Sequence, residues 1–88
     1  MKLTEEELRE TRTRLRRIEG QIKGIIKMLE ERECAEVLIQ IAAARSALAK
    51  VAHLVIQGYT RECIAGLKSG QMREEEVEEL LRSYLTLV

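Results

Sequence analysis

The absence of proline is the feature that most constrains what this chain can fold into. Proline interrupts a helix because it lacks an amide hydrogen and its ring collides with the preceding turn. None occurs in 88 residues, so long helices can run without a break. The sequence is dominated by Ala, Leu, Ile, Glu, Lys, Arg and Gln, and all of these except Ile are good helix formers. We therefore expect an all-α fold.

Apolar residues at steps of three and four predict a first amphipathic helix from about Thr4 to Arg32. Thr4 and Glu7 have the spacing of a capping box, in which each side chain binds a free backbone amide at the helix start. Gly20 and Gly24 each cost this helix roughly 1 kcal/mol relative to alanine, unless another helix approaches closely there.

Two further helices are expected after the first. Residues 34–67 carry large apolar residues on one part of the circumference and alanines on the rest, so this second helix should be buried on more than one side. Ser69 and Gly70 supply a stop. The acidic run that begins at Glu74 favours a new helix start, and the apolar stripe of this short third helix extends to Val88.

The length of the chain predicts one domain, residues 1–88, with no repeat or linker. A domain of this size buries only about 60 to 65% of the surface that its unfolded chain exposes. However, 45% of the residues are apolar, which is a high share for a small domain. We therefore expect other copies of the chain to cover part of the apolar surface.

The formal charge is zero, but the charges are distributed unevenly. Residues 9–27 contain seven bases and two acids, whereas residues 71–88 contain five acids and two bases. One face of a neutral molecule can therefore be strongly positive. On composition alone, solubility and contact with nucleic acid explain these bases equally well.

The two cysteines, Cys34 and Cys63, require a chemical explanation. In a reducing compartment they are core residues, metal ligands or reactive thiols rather than a structural disulfide. Within one continuous helix they would lie about 43 Å apart, at 1.5 Å per residue, and so could not share a ligand in one protomer. In an antiparallel pair of such helices, Cys34 of one chain comes beside Cys63 of the other, and a two-fold axis generates two such sites.

The sequence context of both cysteines is charged. Cys34 follows an arginine and a glutamate near a predicted helix amino terminus, where a thiolate is stabilised. Cys63 also follows an arginine and a glutamate. We therefore expect neither thiol to lie in a dry core, although burial as a small apolar residue is how free cysteines most often behave.

Two stretches resemble the copper-sensing repressor family, which includes copper, nickel, formaldehyde and persulfide sensors. They are residues 14–25, which contain RRIEGQ, and residues 37–48, which contain QIAAARSAL, with Cys34 between them. The similarity covers nearly the whole chain. It implies a three-helix protomer, a dimer whose first two helices form an antiparallel four-helix bundle, and a dimer of dimers. It also implies repression that ends when the cysteine site between chains is occupied or modified.

Members of this family that bind cuprous ion have a cysteine, a histidine 25 residues later and a second cysteine four residues after that. Here these positions are Cys34, Tyr59 and Cys63. A phenol is a hard and mostly protonated donor, whereas cuprous copper prefers thiolates and imidazole. We expect Tyr59 to form a wall of the thiol site rather than to react.

A cysteine pair without the histidine is similar to the persulfide-sensing branch of the family, whose chemistry needs two thiols and no cofactor. Persulfide or another form of sulfane sulfur is therefore the expected effector, sensed by Cys34 and Cys63. Two thiolates can still hold cuprous copper in linear geometry, so a copper-responsive repressor with these cysteines as metal ligands is the alternative.

His53, the sole histidine, is offset by about 120° around the helix from Tyr59. We expect it to be hydrogen-bonded or partly exposed rather than a ligand. The acids of the third helix should be a solvated face, although the resemblance suggests that one of them links the sensor to this helix. These acids are Glu75, Glu76, Glu78 and Glu79.

The family carries DNA-binding bases at positions that match Arg14 and Lys50. With Arg16, Arg17 and Arg45 they form a candidate surface for contacts with the phosphates of operator DNA. No helix-turn-helix signature is present. Recognition should therefore depend on phosphate contacts and DNA shape, with an affinity that falls as salt rises.

Other functional classes fit the sequence less well. It contains no triad spacing, no glycine-rich phosphate loop and too little chain to enclose a substrate pocket, which argues against an enzyme. A structural helical oligomer or a metal chaperone without DNA binding is the stronger rival. Unbroken apolar runs are far shorter than the roughly 20 residues that cross a bilayer, and the amino terminus lacks an apolar signal region. We therefore expect a cytoplasmic protein with no membrane partner.

Overall fold

The computed structural model describes residues 3–87, which form three helices. Helix α1 spans Glu5–Glu31, α2 spans Cys34–Ser69 and α3 spans Glu74–Leu85. The predictions of an all-α fold and of a three-helix protomer are confirmed. The third helix ends at Leu85, and Val88, which the sequence pattern includes in its stripe, lies outside the described residues.

The predicted start of α1 and end of α2 are also confirmed. The side chain of Thr4 accepts a hydrogen bond from the amide of Glu7 at 3.1 Å, and the Glu7 carboxylate accepts one from the amide of Thr4 at 2.9 Å. At the end of α2, Gly70 adopts the left-handed conformation with φ of 76°. Glycine has no Cβ to resist this conformation, so it ends the helix at little cost.

Helices α1 and α2 form an antiparallel hairpin with one seam. The buried residues of this seam recur every seven positions, and a seven-residue repeat keeps two helices in continuous contact. They are Thr11 and Ile18 on α1, and Val37, Ala44, Val51 and Gly58 on α2. Within one protomer, α2 is therefore buried mainly along this seam. Contacts inside a single chain do not bury α2 on more than one side, although the sequence predicts such burial for it.

Contacts at the open end of the hairpin tie the start of α1 to α2. A Cβ added to Gly58 would meet the terminal methyl of Leu3, so the Leu3 side chain packs directly against the backbone of α2 at this glycine. The guanidinium of Arg61 donates a hydrogen bond of 2.5 Å to the Glu7 carboxylate. The backbone amide of Thr4 and then the Arg61 side chain lower the pKa of Glu7 from its ordinary value of 4.5.

Helix α3 folds back along α2 after a short turn. In the turn, the amide of Met72 donates a hydrogen bond of 3.0 Å to the carbonyl of Gly66. Near the other end of α3, the hydroxyl of Tyr84 lies 3.1 Å from Nδ1 of His53 on α2. The hydrogen-bonded state that the sequence predicts for His53 is therefore present.

The protomer is long and thin. Its backbone measures 55 × 26 × 12 Å, and the longest dimension matches the length of α2. Among the described residues no large side chain is fully buried. Apolar side chains instead line an open groove of about 760 Å³, whose members include Ile22, Ile25, Ile41, Leu48 and Leu87.

The helical glycines of α1 meet no neighbour within this protomer. An added Cβ at Gly20 or Gly24 would find nothing within 4 Å. Contacts inside one chain therefore do not offset the helix-propensity cost of these two glycines.

Helix α2 is long and apolar enough to cross a membrane by length and composition alone, with a mean hydropathy of 1.4 in its most apolar window. Its unbroken apolar runs are short because charged residues such as Arg45 and Lys50 interrupt them. A core helix of a soluble protein passes the same test, so the finding is weak evidence for a membrane span.

Candidate functional site

The two cysteines lie at opposite ends of α2. Cys34 is the first residue of the helix and is exposed, whereas Cys63 is near its last turns and is buried. Because α2 is continuous from Cys34 to Ser69, the rise of 1.5 Å per residue places the two thiols about 43 Å apart. One protomer therefore cannot join them.

Cys63 is buried, with only 7% of its surface exposed, but polar side chains line the cavity beside it. Its charged neighbours in sequence, Arg61 and Glu62, are each rotated by about 100° per residue around the helix. Arg61 binds Glu7 on α1. Of the two charged sequence neighbours, Arg61 therefore turns away from Cys63, whereas Glu62 lines the same cavity as Cys63.

A cavity of about 520 Å³ adjoins Cys63 at the junction of α2 and α3. Tyr59 lines it one turn before Cys63, which is the position predicted for it as a wall of the thiol site. The turn after α2 and the first residues of α3 close the other side. The lining comprises Tyr59, Glu62, Cys63, Ala65, Gly66, Ser69, Gln71, Met72 and Glu76.

Two lining residues have chemistry that the sequence argument did not assign to this site. Met72 brings a thioether, which is a soft donor, and Glu76 brings a carboxylate from α3. Glu76 is one of four acids of α3 of which the family resemblance suggests that one links the sensor to this helix. No sequence pattern points to Met72, because it lies in the turn between the amphipathic helices α2 and α3.

No cluster of three or more His, Cys, Asp or Glu side chains that could hold a metal ion occurs within residues 3–87 of one protomer. His53 does not complete a ligand set with Cys63. It lies instead in a different cleft, where it contacts Tyr84.

The structure brings together two of the five bases predicted to contact DNA. Arg14 of α1 and Lys50 of α2 line one cleft of about 350 Å³, which His53 and Tyr84 also line. Lys50 and His53 are exposed and Arg14 is half-buried. Arg14 also donates to the carboxylate of Glu10 at 3.3 Å, an exposed pair of the kind that contributes only about 0.3–0.5 kcal/mol.

None of the other three bases lines this cleft. Arg16 lines a second cleft, of about 470 Å³, together with Arg9 and Arg12. Arg45 borders the apolar groove, and Arg17 is exposed on α1. A surface that uses all five would need more than one cleft of this protomer.

Comparison with known proteins places this arrangement in a family. Residues 7–84 match the model of a family described as metal-sensitive transcriptional repressor. The copper-sensing transcriptional repressor CsoR of Bacillus subtilis is 41% identical over 70 residues, which cover 77% of this chain and 68% of that protein. The transcriptional repressor RcnR of Salmonella typhimurium is 39% identical over 72 residues, covering 81% and 80%.

Two solved structures are similar over nearly the whole chain. The copper-sensing repressor CsoR with Cu(I) from Geobacillus thermodenitrificans has a TM-score of 0.82 and 30% identity, covering 97% of this chain and 93% of its own. The nickel-responsive transcriptional regulator InrS has a TM-score of 0.72 and 40% identity, covering 92% of each chain. The chain therefore belongs to the metal-sensitive transcriptional repressors, a family of regulators rather than enzymes, as its sequence resemblance predicts.

Proposed function

We propose that this protein is a cytoplasmic, DNA-binding repressor that leaves its operator when chemistry occurs at a Cys34–Cys63 pair formed between two chains. The observation that carries the proposal is the position of the two thiols at opposite ends of one continuous helix. Antiparallel packing of two copies of α2 brings each Cys34 beside the Cys63 of the partner subunit. The relatives named as transcriptional repressors support the DNA-binding role.

The proposed assembly is a dimer in which α1 and α2 of two chains form an antiparallel four-helix bundle, and two such dimers associate. The thin protomer and the open apolar groove support it, because helices bury an apolar face only by packing another element against it. The groove carries side chains from both α1 and α2, such as Ile22 and Leu48.

The proposed effector is sulfane sulfur in a persulfide or polysulfide. The exposed thiolate of Cys34 attacks the terminal sulfur of a persulfide RSSH, the S–S bond of the donor breaks, RS⁻ leaves and Cys34 carries a persulfide. The thiolate of Cys63 of the partner subunit then attacks Sγ of Cys34, HS⁻ leaves and a disulfide joins the chains. When both thiols are persulfides, their reaction releases H₂S and leaves a trisulfide.

The different exposure of the two thiols suits this sequence of steps. An exposed Cys34 meets the donor first, whereas Cys63 is sheltered in its cavity until Cys34 of the partner subunit approaches. Tyr59 lies one turn before Cys63 on α2 and carries a phenol. It therefore does not supply the imidazole ligand that the copper-binding pattern has at this position. These features favour thiol chemistry over a metal site of the cysteine, histidine, cysteine type.

A cuprous ion is the second candidate effector, and the Cu(I)-bound relative supports it. The thioether of Met72 in the cavity of Cys63 adds a soft donor to the two thiolates. Copper would then be held by Cys34 of one chain and by Cys63 of the partner subunit, with Met72 near the second of these.

An operator-binding assay separates the two effectors. Fluorescence anisotropy with the DNA upstream of the protein's own gene is measured after addition of polysulfide, or of cuprous ion in the presence of a strong competing chelator. We expect polysulfide to release the DNA and to add sulfur and a crosslink by intact mass spectrometry. Release by chelated copper, with polysulfide inactive, would overturn the persulfide assignment.

Tyr59→His is the matched variant, because it restores the imidazole of the copper-sensing pattern beside Cys63. We expect it to gain release by chelated copper while the wild type does not respond. The absence of a specific, salt-dependent operator complex with the wild type would instead favour a structural oligomer or a metal chaperone.

A further inference from the structure

The cleft that contains Arg14 and Lys50 also contains a hydrogen-bonded pair with no role in the cysteine chemistry. Its lining brings α1, α2 and α3 together, with Arg14 from the first, Lys50 and His53 from the second and Tyr84 from the third. No carboxylate is among the lining residues. Arg14 is paired with Glu10, outside the lining, at 3.3 Å, and an exposed pair of this kind is weak enough for a phosphate to compete for the guanidinium. With Lys50, the cleft therefore offers two cations to a phosphate group of DNA.

We propose that His53 is a third phosphate-binding side chain of this cleft and that Tyr84 positions its ring. This inference rests on the proposed DNA-binding function. His53 is exposed, so its ring is accessible to a DNA strand that lies across Lys50. It is also three residues after Lys50, and residues three apart on a helix lie on the same face.

The contact with Tyr84 determines what the ring offers to DNA. Nδ1 of His53 lies 3.1 Å from the Tyr84 hydroxyl. In the proposed complex the hydroxyl donates to Nδ1, so the ring proton resides on Nε2. Nε2–H is then the group that donates to a phosphate oxygen. Tyr84 is half-buried on α3, so it limits the rotation of the ring without itself reaching the DNA.

The pair also makes α3 part of the DNA-binding cleft. The first turn of α3 contributes Glu76 to the cavity of Cys63, and its last turn contributes Tyr84 to the cleft. A displacement of α3 at the cysteine site would therefore withdraw support from His53, while Arg14 and Lys50, which lie on the hairpin, would stay in place.

The test is a titration of operator DNA by fluorescence anisotropy over a series of salt concentrations. We expect His53→Ala to weaken binding about tenfold, as for one lost hydrogen bond to a charged group. The affinity of the His53→Ala variant should depend on salt as that of the wild type does, because an uncharged N–H donor displaces no counterion from DNA. Lys50→Ala should instead reduce the slope of log K against log salt by about 0.9 for each protomer that engages DNA.

Further variants separate phosphate binding from a structural effect. His53→Gln keeps an N–H donor and should recover most of the affinity. Tyr84→Phe should weaken binding severalfold, with no further loss when it is added to His53→Ala. The matched controls are Ser83→Ala, which removes another hydroxyl from α3, and Gln57→Ala, which shortens another exposed side chain of α2. Both should bind as the wild type does, and thermal unfolding should be similar for all of the variants.

Wild-type affinity in both His53→Ala and Tyr84→Phe, with weaker binding by Lys50→Ala, would overturn the inference and leave the repressor function intact. An affinity loss in His53→Ala that His53→Gln does not recover would also overturn the donor role. Absence of an operator complex with the wild type would remove the proposed function and this inference with it.

Discussion

Replacing Ile22 by alanine should weaken self-association while leaving the protomer folded. Ile22 lines the apolar groove and keeps 44% of its surface exposed in the single chain. Full burial of an isoleucine contributes about 1.5–3 kcal/mol, so covering the exposed part contributes about 1 kcal/mol. A two-fold dimer contains the contact twice, which gives about 2 kcal/mol or roughly a 30-fold weaker dimer.

Sedimentation over a dilution series measures this dissociation constant, and circular dichroism checks that helix content is unchanged. Leu81→Ala is the matched control, since Leu81 on α3 is 47% exposed and does not line the groove. We expect its dimer to be as strong as that of the wild type. An unchanged dissociation constant for Ile22→Ala, or an equal loss for Leu81→Ala, would refute the assignment of the groove to the dimer interface.

Two further substitutions test the ends of the hairpin. The amide of Thr4 and the Arg61 side chain lower the pKa of Glu7. The ionised Glu7 therefore stabilises the fold above the ordinary pKa of 4.5, and this stabilisation is lost as pH falls through the lowered pKa. Glu7→Gln should therefore lower the melting temperature at neutral pH, and the difference from the wild type should disappear as pH falls through the lowered pKa of Glu7. Gly66→Ala should destabilise the chain, because the new Cβ would lie 2.8 Å from Cβ of Met72, and a strain of about 1–3 kcal/mol exceeds the roughly 1 kcal/mol gained in helix propensity. Equal or greater stability of Gly66→Ala in urea unfolding would contradict the close packing of the turn.

Local chemistry allowed much of the fold to be predicted from the sequence. The capping box of Thr4 and Glu7, the helix start near Cys34 and the stop at Gly70 depend on residues within a few positions of one another. Such signals need no knowledge of distant contacts. The separation of the cysteines could be predicted for the same reason, because it depends only on the rise of a continuous helix.

The surroundings of the sites depend on contacts between helices, which local patterns do not encode. The burial of Cys63 arises where the turn after α2 meets its last turns, and Met72 enters the cavity through that turn. The pairing of His53 with Tyr84 joins residues on different helices. Sequence spacing also does not reveal that Arg16 and Arg45 line different clefts from Arg14.

Mixed dimers test the central claim most directly. Cys34→Ser and Cys63→Ser chains are unfolded and refolded together in equal amounts, so that about half of the dimers contain one chain of each kind and one intact cysteine pair. After treatment with polysulfide, peptide mapping should find the Cys34–Cys63 crosslink in the mixture and in neither variant alone, and DNA release should be partly restored. Operator release by either variant alone to the wild-type extent, or a mixture without the crosslink, would contradict a switch formed between chains.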